Sequence, residues 1–442
     1  MKRTLALFLT LSMLVTLCMT GCGKKEEAPA PEAGGAPQEE TVTITYLSRW
    51  ANPSDPRSAY YMAKLDEFRK NNPNIIVDDI SIGDDSEAHK AKVNSSIAAG
   101  NPPDLFITNN NLSTAEWVVN GVISDISDLV ASSAWTGPTG DLLGRFTYDG
   151  DVYGCPNQLG TTITLTNTGI FRELGLEVPD TWEDLEACVP ALTEAGIIPF
   201  GVAAQQLNEC DRFVLMVGMM MYGLEFRDKI ISGEWRWDGP ECQSVLEKVE
   251  YFMDNGFLDP NAVSLTAQSG TIPMFEQGQI AVMLTPSWNI SLFQDMAFAE
   301  DIRVNNFLYF EDKPENKGIW LASLGEGFVL SPDKGTAEYD ACCKLLAYLM
   351  SQDSFNGFVE EMGGGVVPVS VEYDMSKANP VLRSYMENYD EATNVTDTVP
   401  VYIDSKIPLA TPTQQELQGL FAGRTPAEVG ASLQAIYDQE RN

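Results

Sequence analysis

Thr41–Leu47 (TVTITYL), Ser58–Lys70 (SAYYMAKLDEFRK), Asn74–Ile82 (NIIVDDISI), Glu87–Ala99 (EAHKAKVNSSIAA) and Asp104–Thr108 (DLFIT) switch back and forth between two hydrophobic periods. The first, third and fifth carry β-branched residues in alternation or in a short apolar run, which predicts strands. The second places Tyr61, Leu65 and Phe68 on one stripe, the signature of an amphipathic helix, and Asn71-Asn72-Pro73 ends it. The fourth is helical in character and stops at the turn Gly100-Asn101-Pro102-Pro103. Strand and helix in strict alternation predict an α/β domain around a largely parallel sheet.

Further along, Asp149–Gly154 (DGDVYG) predicts a hairpin turn leading into a strand at Thr161–Thr166. Thr181 can cap a helix, with Asp184 reaching back to it. Gly278–Leu284 predicts a buried strand, Gly335–Leu349 a long helix with Ala341, Leu345 and Tyr348 on one side, and Pro426–Gln439 a final amphipathic helix. Val214–Tyr222 is the richest apolar run of the body. It is short and contains Gly218, so it predicts a buried helix and not a membrane span. With 442 residues the chain exceeds what one core serves, and two domains are expected.

The N-terminus has a different character. Lys2 and Arg3 precede an apolar run from Leu5 to Leu17, well short of the ~20 residues that span a bilayer, and small residues follow. Residues 1–21 therefore predict a secretory signal peptide. Met19-Thr20-Gly21-Cys22 resembles a bacterial lipobox, which implies lipid on Cys22, although Met19 stands where leucine is usual. Residues 22–40 lack any large apolar side chain and predict a disordered tether with a reach of roughly 20–25 Å.

Composition excludes several classes of function. A net charge of −35 repels nucleic acid and anionic lipid heads. The single histidine, His89, excludes two- and three-histidine metal sites, and its polar segment predicts a solvent-facing helical position. Neither Asp84-Asp85 nor Asp149–Asp151 has the spaced oxygen ligands of a calcium loop, and no metal or cofactor is expected. Cys155, Cys188, Cys210, Cys242, Cys342 and Cys343 show no CxxC spacing, so structural zinc is not expected. Disulfides and free thiols are both open.

Six segments in order carry a family resemblance. They are Asn71–Val77 (NNPNIIV), Ala98–Phe106 (AAGNPPDLF), Tyr153–Pro156 with Thr166-Asn167 and Phe171, Leu176–Leu185 (LEVPDTWEDL), Phe275–Trp288 (FEQGQIAVMLTPSW) and Gly423–Val429 (GRTPAEV). Together they resemble the extracellular solute-binding proteins of sugar ABC transporters, from about residue 42 to 439. The resemblance implies a two-domain α/β fold of the class II periplasmic-binding-protein type, with a hinge and a ligand cleft between domains. It implies an N-terminal domain of residues 41–158 plus about 320–368 and a C-terminal domain of about 163–316 plus 372–442. It also implies a carbohydrate ligand, no covalent chemistry, permease subunits as partners and a monomer. The setting would be the outer face of a cytoplasmic membrane of Gram-positive type.

A sugar presents hydroxyls and apolar CH faces, so its site needs aromatic planes and side chains that both donate and accept. Trp288 matches a stacking tryptophan of the family. Arg49 and Trp50 follow the first strand, where α/β folds present ligand residues. Asn109, Asn110 and Asn111 follow the Asp104–Thr108 strand, and Asn157 and Gln158 lie at the crossover. Glu209, Asp211 and Arg212 fall where the second domain contributes. Glu326 sits between Gly325 and Gly327, and Gly364 within Gly363–Gly365; these glycines can bring backbone close to ligand or act as hinges. Asp104, Trp117 and Trp182 are assigned to the framework. An exported glycoside hydrolase is the competing class, and it would need two facing carboxylates ~5–5.5 Å or ~6.5–9.5 Å apart. A polyamine or glycerol phosphate on the same fold is the third possibility.

Overall fold

The computed structural model describes residues 41–83, 86–109, 112–323, 326–362, 376, 378–389, 394–397 and 409–441. The leader, the tether with Cys22, Asp84-Asp85, Asn110, Asn111, Gly325 and Gly363–Gly365 lie outside the described residues.

Among the described residues thirteen strands carry the frame: β1 Val42–Leu47, β2 Ile75–Asp79, β3 Leu105–Asn109, β4 Thr147–Tyr148, β5 Asp151–Val152, β6 Cys155–Pro156, β7 Gly160–Asn167, β8 Ile198–Gly201, β9 Ile280–Pro286, β10 Ile302–Asn305, β11 Ile319–Ser323, β12 Glu326–Leu330 and β13 Asn394–Asp397. One sheet runs β2-β1-β3-β12-β6 and a second runs β13-β11-β7-β9-β8, with β10 also on β7. In the first sheet β1 is parallel to β2 and β3, as the alternating pattern requires, whereas β12 returns antiparallel to β3. The sheet is therefore mixed. The hairpin of β4 and β5 turns at Asp149 and Gly150, both with positive φ (51° and 95°), which suits a two-residue turn.

Side-chain alternation makes the first sheet two-faced. Ile44, Tyr46, Leu105, Ile107 and Phe328 pack with Tyr61, Leu65 and Phe68 of the helix Pro56–Asn71 and with Leu345 and Leu349 of the helix Ala337–Leu349. On the other face Leu47, Phe106 and Val329 meet Val93 of the helix Ser86–Ala98 and Ile123. In the second sheet Val282 and Leu284 face a large aromatic core. There Trp182 stacks on Phe252 at 4.0 Å between ring centroids. The helix holding Trp182 starts with the expected capping box: Thr181 and Asp184 exchange hydrogen bonds. The run around Val214 is buried, as expected, within the helix Leu207–Tyr222.

Two expectations change. His89 is not solvent-facing but 3 % exposed, and its Nε2 lies 2.7 Å from the carbonyl oxygen of Ile107. The chain also returns to the first sheet later than expected. Ile319–Ser323 pairs with β7 and β13, so residues near 320 belong to the second lobe and the return follows Ser323. All six cysteines of the body are free and buried. Among the described residues no helix is long and apolar enough to cross a membrane.

Two crossings among the described residues lie side by side. Cys155 and Pro156 pair with Phe328 and Gly327, and Gly160 and Thr161 pair with Ser323 and Ala322. Gly327 makes this possible, because a Cβ there would come within 2.3 Å of the Cys155 carbonyl oxygen and 2.7 Å of the Phe146 ring. Gly327→Ala should force the crossing strands apart and destabilise the protein by ~1–3 kcal/mol. A thermal or urea melt checks this, and an unchanged midpoint would show that the strands can yield at no cost.

Candidate functional site at the crossover

Arg49 follows β1 in a loop pinned to the end of β2, where Ser81 Oγ accepts from the Ser48 N–H at 2.8 Å and pairs with Ser48 Oγ at 2.9 Å. From that loop the Arg49 guanidinium forms an ion pair with Glu326, the first residue of β12. Asn157 completes the group from the first crossing: its Nδ2 donates to Glu326 Oε1 at 3.0 Å, and its backbone N–H donates to the Glu326 carbonyl at 3.2 Å. Asn157 is 3 % exposed, and its Oδ1 has no partner among the described residues. Next to this cluster Arg57 Nη1 donates to Gln158 Oε1 at 3.1 Å, which ties the start of the helix Pro56–Asn71 to the same crossing.

Burial pushes the Glu326 carboxyl up, but Arg49, Arg57 and the Asn157 amide together hold it below the usual value of 4.5. Glu326 is therefore a fixed anion with its charge matched. His89 is held below 6.5, first by burial, and Arg49 adds to the effect. Its Nε2 faces a carbonyl oxygen, which can only accept, so neutral His89 carries its proton on Nε2.

The second lobe reaches the crossing through β9, which ends at Pro286 beside Thr162. Ser287 Oγ accepts from the Thr161 N–H at 2.9 Å, and the half-buried Trp288 lies against Gly160, where a Cβ would come within 2.5 Å of the ring. The Arg212 guanidinium sits over the Trp288 ring, 5.1 Å from its centroid. Glu209 holds Arg212 at 2.5 Å, one helical turn away. Burial pushes Glu209 up against the pull of Arg212.

The expected residues thus divide into groups. Arg49, Glu326, Asn157, Gln158, Arg212 and Trp288 gather at the crossover, with Asn109 at the end of β3 opposite Glu326. Trp50 does not belong with them: it is 4 % exposed and stacks on Tyr61 at 3.8 Å, inside the core of its lobe. Asp211 is likewise buried, and it accepts from Gln414 Nε2 at 3.0 Å, joining two helices. Asp104 is structural, as expected, and accepts from both N and Oγ1 of Thr45. Arg57, His89 and Trp117 were not foreseen. Trp117 is only half-buried and lines a cavity with His89 and Arg49. The spacing His89, Val93, Ile97 was a usable signal, because residues four apart share a helical face and both apolar members pack inward.

With this geometry described, the comparisons give it a family. The model for bacterial extracellular solute-binding proteins matches residues 63–381, well over half of the chain. The chain belongs to that family. An uncharacterized ABC transporter extracellular-binding protein of Pyrococcus horikoshii is 20% identical over 390 residues, covering 87% of this chain and 84% of that one. Among solved structures, a chitin oligosaccharide binding protein superposes with a TM-score of 0.77 at 18% identity, over 90% of this chain and 99% of its own. The raffinose complex of a solute-binding protein gives 0.73 at 17%, over 91% and 100%. At these identities the likeness shows a shared fold. The solute-binding protein described here has the same mixed α/β architecture.

The buried His89 makes stability depend on pH. Its folded pKa is depressed, so as pH falls below the ordinary 6.5 the unfolded chain binds the proton first. The contribution is complete above that value and is lost below it. The thermal midpoint of the native protein should drop between about pH 7 and pH 5.5. His89→Gln keeps a donor for Ile107 and should flatten that drop; parallel curves would assign the slope to other groups.

Proposed function

We propose that this solute-binding protein captures a carbohydrate at the crossover between its lobes and delivers it to the permease of an ABC importer, without covalent change. The observation that carries this reading is the half-buried Trp288 ring, set against Gly160 and under the Arg212 guanidinium at the crossing that also holds Arg49, Glu326 and Asn157. Arg49 is offset by Glu326 and Arg212 by Glu209. Two of the site's arginines are thus offset within their own lobes, which favours a neutral polyol, while Arg57 beside them is held by the Gln158 amide. The relatives named for chitin oligosaccharide and raffinose support the same class. Arg49, Asn109, Asn157, Gln158, Arg212, Trp288 and Glu326 are the proposed ligand residues. Asn157 Oδ1 is a buried acceptor suited to a sugar hydroxyl.

The two lobes close about the paired crossings by a hinge motion. The anchoring half of the proposal rests on sequence: a signal peptide over residues 1–21, lipid on Cys22 and a tether up to residue 40. A monomer held in this way beside its permease suits a bacterium without an enclosing outer membrane.

A thermal-shift screen over a glycan panel is the direct test. A ligand at 100 times its Kd adds ~2.7 kcal/mol of stability. Stabilisation by spermidine or glycerol phosphate alone would replace the ligand class, and release of product from an oligosaccharide would make the protein a hydrolase. Trp288→Ala should weaken sugar binding about tenfold or more, ~1.4 kcal/mol. Cys22→Ala should shift intact, sugar-binding protein from the membrane fraction to the medium, as an immunoblot would show.

A further inference from the structure

The three guanidinium groups at the crossover are not equivalent. Arg49 is paired with Glu326 and Arg212 with Glu209. Arg57, the second residue of the helix Pro56–Asn71, is half-buried, and among the described residues no carboxylate stands within ion-pair distance of it. Its hydrogen bond goes to the Gln158 amide oxygen at 3.1 Å. The acid closest in sequence, Asp55, is turned to the start of the helix, where its Oδ2 accepts from N and Oγ of Ser58 at 2.8 and 2.7 Å. A neutral amide fixes a guanidinium in place without cancelling its charge. Of the five N–H groups on Arg57, four are left to donate.

Gln158 sets that charge within the crossing itself. The residue before it, Asn157, binds Glu326, and two residues after it Gly160 lies against the Trp288 ring. Arg57 also helps to hold the Glu326 carboxyl ionised, so the two are within electrostatic reach of each other. Three guanidiniums and two carboxylates leave this group with one positive charge, in a chain whose net charge is −35.

We propose that Arg57 receives a carboxylate of the solute, so that the sugar is an acidic one: a uronate, or an oligosaccharide with a uronate ring at the Arg57–Gln158 pair. The proposal rests on the carbohydrate reading and narrows it. The matched pairs and the Trp288 ring suit the hydroxyl-bearing body of any sugar, and Arg57 adds a demand that a neutral sugar leaves unmet. A guanidinium and a carboxylate fit each other through two parallel hydrogen bonds, and the free N–H groups of Arg57 suffice for that fork. One carboxylate also balances the charge. A phosphate dianion would exceed it, and a polyamine would be repelled. Closure gives the pairing its effect. Lobes that close over Arg57 with no anion take an uncompensated guanidinium out of water, whereas a bound carboxylate offsets that cost. The acid group therefore contributes differently to the open and closed states, which is what lets a ligand bias them.

Titration calorimetry on the full-length protein tests this by comparing each acid with its own neutral methyl ester. The panel is glucuronate, galacturonate, digalacturonate and trigalacturonate, with neutral glycans and glucose 6-phosphate beside them. In at least one series the acid should bind tenfold or more tighter than its ester. Arg57→Gln, which removes the charge, should bring that ratio close to one. Arg57→Lys, which keeps the charge and loses the fork, should leave a ratio between the two, and it decides the matter if the glutamine variant does not fold. Folded variants of both kinds that keep the native ratio would show that the carboxylate is read elsewhere and would overturn the proposal. Acids and esters that bind alike, or neutral glycans that bind where no uronate does, would also overturn it while the carbohydrate reading stands. Tighter binding of glucose 6-phosphate than of any uronate would replace the carboxylate by a phosphate and overturn it too. If nothing in the panel bound the native protein, both readings would fall together.

Discussion

The carboxylate of Glu326 is the constraint from which the rest of this site follows. An ionised carboxyl taken out of water costs several kcal/mol unless it is paired and hydrogen-bonded. Here the compensation comes from Arg49 on the loop after the first strand and from Asn157 on the first crossing. Meeting that one demand joins three stretches of chain that are distant in sequence. It fixes where the loop after β1 ends, where the crossing leaves the first sheet, and how far β12 extends before the return is complete. Gly327 belongs to the same arrangement, because only a residue without Cβ lets β12 lie this close to Cys155. Removing one partner would leave a buried charge unmatched, so the cluster works as a unit.

The second lobe meets the crossing in a parallel way. Glu209 is buried and holds Arg212 one helical turn away, and the guanidinium then covers the Trp288 ring. In both lobes an arginine is positioned by a glutamate at the edge of the site, and in both the pair is nearly neutral to a ligand. The acidic balance of the whole chain therefore does not carry into the site. A net charge of −35 governs solubility and what the surface repels. At the crossover Arg49 and Arg212 are matched by carboxylates of their own lobes, and Arg57 adds a guanidinium held by the Gln158 amide.

Much of this frame was legible because it is written in local periodicity. The alternation through Thr41–Thr108 gave the first three strands and their helices to within three residues, the largest error being the end of β2 at Asp79, and Thr181 with Asp184 gave a helix start, because both signals act over a few residues. The pairings that make the site are not local. Glu326 lies 277 positions from Arg49 and 169 from Asn157, and nothing in either segment names the other. Trp50 shows the same limit from the opposite direction. An aromatic residue just past a strand can face ligand or core, and Tyr61, stacked on it at 3.8 Å, decides for the core. His89 was misread because its neighbours Lys90, Lys92 and Asn94 are polar, which hid the inward stripe it shares with Val93. Trp117, assigned to the framework, does pack edge-on against Phe106 at 6.0 Å, but its helix leaves it half-buried, so that it also lines a cavity.

Closure of the lobes over a solute, as proposed, sets one more condition on the charges at the crossing. A conformational change responds to a ligand only through the difference in free energy the ligand contributes to the two states. If either lobe presented an unmatched charge at the crossing, closure would carry its desolvation cost with or without solute, and the ligand would have to overcome that first. Matching Arg49 with Glu326 and Arg212 with Glu209 inside their own lobes removes the part of that term those two arginines would carry. The paired crossings, 155–156 against 327–328 and 160–161 against 322–323, run against each other between the two sheets. What remains to bias closure is what a ligand itself bridges: the polar groups beside Glu326 on one side and the Trp288 ring on the other. A solute long enough to touch both gains from closing, and one held by a single lobe does not.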